Sequence, residues 1–376
     1  MQQLHPTLLA WGAPATPTQL PKPIFLMDLD GTLITTRLGG RFPKSAADWK
    51  WLRPDIPNQY REICEEYYPI IITNQARIKS ADANSLLKDR IQQVYDKLSA
   101  ISPLQIYAAC AKDKWRKPHT TIYEEYIVPQ MGDQNEIIFI GDAAGRPNDI
   151  GDSDRALAYN LGLVSPVKPL FATPEEYFWE EAAQPRTWNR PNPRQWLDVP
   201  TAPTRDQLIT SIPVNIGCIL LVGAPGSGKS TLARALSTHS HFTTRTTLII
   251  NQDTLKTKAR CFSALNSSLQ SHHLAIIDET APSLTVRQKY YEIMLSQSAP
   301  CICIHFDRDS DLLDHLRLYR QRINDVSLPD IAYRIFNKNL VKPKASEWKN
   351  YPERVIEWPW MPNVAEANRK YFLQRL

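Results

Sequence analysis

Ile24-Phe25-Leu26-Met27-Asp28-Leu29-Asp30-Gly31-Thr32-Leu33 decides how the first half of this chain is read. The run Ile24–Met27 is apolar throughout, as in a strand buried on both faces, and it ends on two carboxylates and a glycine. Open α/β sheets place their ligands at the carboxyl ends of strands, so the pattern predicts a site here. Two Asp spaced by one residue leave a strand end on the same side. One can attack while the other handles protons, and both can face one Mg²⁺. Turn-capping aspartates would write the same local text, so the reading depends on what other strand ends present.

Working outward, Thr35, Thr36, Gly39, Gly40 and Pro43 give a loop long enough for a flap, and Asp48-Trp49 begins the next element. Tyr60, Ile63, Cys64 and Tyr67 carry helical spacing over 58–67, and the strand 69–72 ends on Thr73-Asn74-Gln75. A hydroxyl and two amides can orient a phosphate without adding negative charge. Leu87, Ile91, Val94 and Leu98 mark one face of a helix over 86–98. A strand over 104–109 then leads into Lys112-Asp113-Lys114-Trp115-Arg116-Lys117-Pro118. A lysine there can neutralise a transferring phosphoryl group, with a solvated basic loop as the plain alternative. The strand 136–140 ends at Gly141-Asp142-Ala143-Ala144-Gly145-Arg146-Pro147. Asp149 and Asp154 are further candidates for the acidic cluster, although Asp154-Arg155 reads equally well as a helix cap and surface pair.

The second half opens with the apolar run 215–222, followed by Gly223-Ala224-Pro225-Gly226-Ser227-Gly228-Lys229-Ser230-Thr231 and the helical pattern 232–236. This is G-x-x-x-x-G-K-[ST] in the context that gives it meaning, between a strand and a helix. Gly223, Gly226, Ser227 and Gly228 let backbone N–H groups wrap phosphates. Lys229 bridges the β and γ phosphates of a nucleotide such as ATP, and Ser230, followed by Thr231, reaches Mg²⁺. Strands over 247–250 and 274–277 end on Asp253 and Asp278. Asp278 suits assistance to Mg²⁺, and Asp253 is free to accept a proton from an attacking hydroxyl; helix capping is the alternative for both. The strand 300–306 carries Cys301 and Cys303 on one face, as core. Residues 315–322 read as a basic helical lid over phosphates, with a solvated face as the default.

At 376 residues the chain has room for two domains, and its net charge of +5 permits a polyanionic partner without requiring one. No stretch reaches the length of a membrane span and no signal peptide opens the chain, which reads as intracellular and soluble. The six cysteines form no C-x-x-C pair and read as reduced and buried. The expected boundaries are a leader at 1–22, a first domain at 23–180, a linker at 181–210 and a second domain with its tail at 211–376. Arg186, Arg190 and Arg194 in the linker could track a phosphate backbone, with a solvated linker as the default reading. Around Trp348, Trp358 and Trp360 an irregular wrap is expected. The segment 364–376, with Val364, Ala367, Tyr371 and Phe372 on one face, is expected to dock on one of the domains. The fold class is α/β, two domains, each a mostly parallel sheet flanked by helices.

The ordered set Asp28, Asp30, Thr73, Lys117 and Asp142 resembles the haloacid dehalogenase phosphatase superfamily, a Rossmannoid fold. By that resemblance Asp28 is the nucleophile, Asp30 the general acid and base, and Thr73 and Lys117 the phosphoryl holders. Mg²⁺ sits on Asp142, the Asp28 side chain and the Asp30 carbonyl. Joined to a P-loop kinase, the whole resembles the polynucleotide kinase 3'-phosphatases of DNA strand-break repair. The identifying text includes Phe42-Pro43, Arg116-Lys117-Pro118, Asn160-Leu161-Gly162-Leu163, Asp253-Thr254-Leu255 and Arg260-Cys261.

That resemblance implies removal of 3'-phosphates and ATP-dependent phosphorylation of 5'-hydroxyls, on DNA ends and in a nucleus. It implies Asp253 as general base, Arg260, Asn74 and Arg146 as substrate contacts, Arg320 on ATP, and Ser230 and Asp278 at the kinase Mg²⁺. A monomer is expected, without the forkhead-associated domain that recruits scaffold partners. The chain departs from the family at Arg77, Gln252, Glu279 and Ala281. RNA ends, small nucleotides, or end binding with only the phosphatase active are the competing readings.

Overall fold

Two apolar runs without alternation become the central strands of two sheets. The computed structural model describes every residue except 76–80, 133–135, 200–202, 325–328, 348–354 and 363. The chain divides into one unit of Met1–Pro193, Leu318–Asp325 and Val364–Leu376 and a second of Arg194–Arg317 and Val326–Asn363. Arg77 and Trp348 lie outside the described residues.

The first unit opens with strands β1 (Gln2–His5), β2 (Leu8–Trp11) and β3 (Ile24–Met27). A small hairpin of β4 (Ile34–Thr35) and β5 (Lys50–Trp51) follows, then β6 (Tyr68–Asn74), β7 (Gln105–Ala109), β8 (Ile138–Ile140) and β9 (Leu170–Ala172). Its helices are α1 (Ile56–Glu66), α2 (Ala81–Ser99), α3 (Ser153–Val164) and α4 (Pro174–Trp179). The main sheet has seven strands in the order β1-β2-β7-β6-β3-β8-β9, antiparallel among β1, β2 and β7 and parallel beyond. On β3, Phe25 and Met27 enter one core while Ile24 and Leu26 enter the other, which is why the run shows no polar alternation. The turn from β9 into α4 is fixed by a capping box, Thr173 and Glu176 each accepting from the other's backbone N–H.

In the second unit α5 (Arg194–Leu197) and α6 (Arg205–Thr210) precede β10 (Cys218–Gly223) and α7 (Lys229–Thr238). Then come β11 (Thr247–Ile250), α8 (Gln252–Leu255), α9 (Lys258–Gln270), β12 (Leu274–Asp278), α10 (Leu284–Ser296) and β13 (Cys301–Phe306). Helices α11 (Ser310–Asn324) and α12 (Asp330–Asn339) and strand β14 (Val355–Glu357) complete the order. The five strands run parallel in the order β11-β12-β10-β13-β14. Cys218, Leu220 and Val222 face one core and Ile219 and Leu221 the other. The six cysteines form no disulfide among the described residues, and five of them are buried.

Three segments differ from the sequence expectation. The first residues are not a leader: β2 pairs with β7, and Trp11 is fully buried with its indole N–H donating to Gln92 Oε1 at 2.9 Å. Part of the expected linker is also fixed. Thr187 N donates to Gly145 O at 2.8 Å, Asn189 N to Asp152 Oδ2 at 2.9 Å, and Arg190 pairs with the fully buried Asp152. A carboxylate without solvent contact needs such a partner, so Arg190 is not solvated. Arg186 likewise pairs with Glu176.

The tail, grouped by sequence with the second half, packs in the first unit through α13 (Glu366–Phe372). Gln374 Nε2 donates to Thr120 Oγ1 at 2.9 Å, Arg375 N to Asn160 Oδ1 at 2.7 Å, and the Tyr371 hydroxyl to Glu124 Oε2 at 2.8 Å. Phe372 is fully buried, with its ring 5.2 Å from that of Tyr319.

Because Trp11 belongs to the core around β3, Trp11→Ala should destabilise the first unit by about 3–5 kcal/mol. In urea, the first unit should then unfold at a lower concentration while the midpoint of the second unit stays where it was.

Candidate active sites

The first site forms where β7, β6, β3 and β8, neighbours in that order, end side by side. Asp28 follows β3, and its N–H donates to Ile140 O of β8 at 2.9 Å. Lys117, beyond β7, lies with Nζ 2.5 Å from Asp28 Oδ1 and 2.7 Å from Asp154 Oδ1. Oxygens of Asp28, Asp142 and Asp154 all lie within 4.8 Å of one another. Asp154, one of two readings at the sequence level, is therefore part of the cluster: only 1% of it is exposed, and Oδ2 accepts from Ala143 N at 3.0 Å.

Two glycines make room for this crowding. A Cβ on Gly31, whose φ is +81°, would stand 2.3 Å from Asp142 Oδ2; one on Gly141 would stand 2.5 Å from Asp154 Cβ.

Burial, reinforced by the neighbouring carboxylates, raises the Asp28 carboxyl to about 7 and the Asp142 carboxyl to about 9. For Lys117 burial works downward, but Asp154 and Asp28 outweigh it and hold the ammonium above its ordinary value. Ionising all three carboxylates around one ammonium would leave an excess of two negative charges in a buried place, which a cation would offset. Hard oxygen donors in that number suit one Mg²⁺.

The surrounding residues are less uniform in role. Thr73, at the end of β6, is buried, and its Oγ1 accepts from Gln75 Nε2 at 2.9 Å. Asn74, expected on substrate, clamps the loop of Lys117 instead: Oδ1 accepts from Lys117 N at 2.9 Å and Nδ2 donates to Lys117 O at 3.2 Å. Arg146 is also tied into the wall, donating to Asp149 Oδ1 at 2.9 Å, Glu175 Oε2 at 2.7 Å and the Asp142 carbonyl at 3.0 Å. Its guanidinium supports the loop that carries Asp142 and is turned away from the substrate role read from sequence. Asp30 is met by a residue the sequence reading passed over, Arg90 of α2, at 2.5 Å and 3.1 Å. The signal was there: Arg90 lies three residues after Leu87 and four before Val94, on the apolar face of the helix.

The second site lies at the end of β10. Gly226 and Gly228 have φ of 78° and 106°, conformations that favour glycine, and Gly228 caps α7. Gly223 leaves no space for a side chain, since a Cβ would lie 2.8 Å from Phe306 Cβ and 2.9 Å from Ser227 Oγ. Lys229 Nζ donates to the carbonyls of Gly223 at 2.9 Å and Ala224 at 2.7 Å, folding back along the loop. Ser227 Oγ is buried with no hydrogen-bond partner among the described residues, while Ser230 and Thr231 are exposed in the first turn of α7.

Asp278 ends β12, beside Leu221 of β10 in the parallel register. Asp253 is exposed on α8, and Arg260 is exposed in the first turn of α9, its N–H accepted by the Thr257 cap. Glu279 is buried and paired with Lys258, which ties the start of α9 to the end of β12. Gln252 is exposed at the start of α8, and Ala281 is buried with φ 39°. Arg320 falls in Leu318–Asp325, so it belongs to the first unit and not to the one that carries the P-loop. On the same helix Arg322 pairs with Glu124 at 2.6 Å.

These two sites define a chain that joins an aspartate phosphatase to a P-loop kinase. Residues 23–178 match the family described as polynucleotide kinase 3 phosphatase, and residues 215–288 match that described as zeta toxin. Over 331 residues the chain is 32% identical to the bifunctional polynucleotide phosphatase/kinase of Schizosaccharomyces pombe, covering 87% of this chain and 78% of that protein. It is 26% identical over 185 residues to the polynucleotide 3'-phosphatase ZDP of Arabidopsis thaliana, covering 44% of this chain and 25% of that protein. The chain belongs to the bifunctional polynucleotide phosphatase/kinases. Among the described residues no helix is long and apolar enough to cross a membrane.

The raised carboxyl groups set a pH dependence. Above about pH 4 an unfolded Asp has lost its proton, whereas folded Asp28 and Asp142 retain theirs to about 7 and about 9. The folded state then binds more protons, so in EDTA its stability should fall as pH rises from 4 to 9. Added Mg²⁺ should restore more stability at pH 9 than at pH 5, read from the thermal midpoint of the first unit; an equal gain at both would remove the coupling.

Proposed function

We propose that the first site removes 3'-phosphates from DNA ends and the second phosphorylates 5'-hydroxyls with ATP, so that the two together leave ends fit for ligation. The observation that supports this best is the meeting of Asp28, Lys117, Asp142 and Asp154 beside Asp30, in a chain that also carries a complete P-loop.

In the first reaction an Asp28 oxygen forms a bond to phosphorus while the bond to the 3'-oxygen breaks. Asp30 gives its proton to the departing oxygen. Asp30 then takes a proton from water as that water attacks phosphorus, and the bond to Asp28 breaks to release phosphate. Lys117 and Thr73 hold the phosphoryl oxygens. Asp28, Asp142 and the Asp30 carbonyl would hold Mg²⁺, which when bound supplies positive charge against the phosphoryl oxygens.

In the second reaction Asp253 accepts the proton of the 5'-hydroxyl as its oxygen bonds to the γ-phosphorus and ADP leaves. The loop 223–228 and Lys229 cradle the phosphates. Ser230 and Asp278 would hold a second Mg²⁺. Arg260, exposed near Asp253, is a substrate contact in this reading.

A nicked duplex carrying 3'-phosphate and 5'-hydroxyl, incubated with ATP and Mg²⁺, should be converted at both ends; unchanged termini would end the proposal. Faster turnover of matched RNA ends would reassign the substrate. Asp28→Ala should abolish 3' removal and spare 5' addition, and Lys229→Ala should do the reverse. Asp253→Asn should slow 5' addition by about a hundredfold or more, and a near-normal rate would remove it as the base.

A further inference from the structure

Asp30 emerges into a turn beside Gly31, and its side chain is about two-fifths exposed. What fixes it comes from α2. We propose that Arg90 is a positioning residue for proton transfer, locking Asp30 so that Oδ1 is the oxygen that carries the proton. This deepens the reading of the first site as a phosphatase and rests on it.

Arg90 stands on the apolar face of α2 among Leu87, Ile91 and Val94, and its side chain is 2% exposed. A buried guanidinium is expensive unless its donors are matched. Here Nη1 donates to Asp30 Oδ1 at 2.5 Å, and Nη2 to Asp30 Oδ2 at 3.1 Å and Gln75 Oε1 at 3.2 Å. Gln75 completes the lock, its Nε2 donating to Asp30 Oδ2 at 2.6 Å and to Thr73 Oγ1 at 2.9 Å.

The two oxygens of Asp30 are therefore not equivalent. A carboxylate oxygen has two lone pairs. Oδ2 accepts from both Arg90 and Gln75, which uses both of its lone pairs. Among the described residues Oδ1 accepts from Arg90 alone and keeps one lone pair for the proton. The same contacts join Asp30 to Thr73, so proton donor and phosphoryl holder share one rigid frame.

The consequence depends on the leaving group. An alkoxide such as a sugar 3'-oxygen departs only with a proton, whereas p-nitrophenolate leaves without help. Arg90→Met keeps the shape and suits the apolar face. It should lower kcat on a 3'-phosphorylated oligonucleotide by about a hundredfold, the scale of a misplaced catalytic group. KM should move by less than about threefold, and kcat on p-nitrophenyl phosphate should fall by less than about tenfold.

Gln75→Leu, which leaves the buried guanidinium in place, should show the same selectivity with a smaller loss. Added to Asp30→Asn, Arg90→Met should cost nothing further, because both act through one proton. Equal losses on the two substrates in both variants, or no loss in either, would overturn the proposal. Wild-type removal of the 3'-phosphate is the separate check on the substrate. If it is lacking, phenyl phosphate replaces the oligonucleotide as the poorer leaving group, so the two failures are told apart.

Discussion

One ammonium group holds the first site together. Lys117 sits between Asp28 and Asp154, buried with both of them, and each partner would be costly to bury alone. The rest follows from keeping it there. Asn74 binds the Lys117 backbone on both its N–H and its carbonyl, which ties the end of β6 to the loop after β7. Gly31 and Gly141 give up side chains so that Asp142 and Asp154 can close in. Arg146, though basic and near, faces the loop wall, where it steadies Asp142 without adding positive charge among the carboxylates.

The two sites solve different problems with the same sheet architecture. The first gathers charged side chains from the ends of β3, β7 and β8 and the start of α3 and must balance them against each other. The second uses mostly backbone: a glycine loop at a helix start, with Lys229 folded back on loop carbonyls. Phosphate brings the missing negative charge to the second site, whereas in the first the negative charge is already present. Proton uptake and metal binding are therefore linked in the first site.

What was legible in the sequence is what is local. Asp28 and Asp30, the strand-end position of Asp142 and the P-loop each lie within a few residues of an apolar run, and each strand expected from such a run is present. What was hidden depends on distant partners. Arg90 shares the apolar face of its helix, but the partner that explains it there, Asp30, lies sixty residues away in the sequence. Residues 8–11 are an apolar run that the sequence reading passed over, too short to stand out without β7, the distant strand on which it pairs. Asn74 and Arg146 were assigned to substrate because a donor near a phosphate site can point either way, and only the fold decides which.

The route of the chain has a consequence for how the protein is made. Helix α13 and the residues Gln374 and Arg375 close the region around Thr120 and Asn160, yet they come after the whole second sheet. On the ribosome, the first unit can form its sheet early but must wait until residues 364–376 have been made to cover Asn160. Until then Thr120 and Asn160 lack these partners, so the first unit is completed only after the residues of the second sheet have been made.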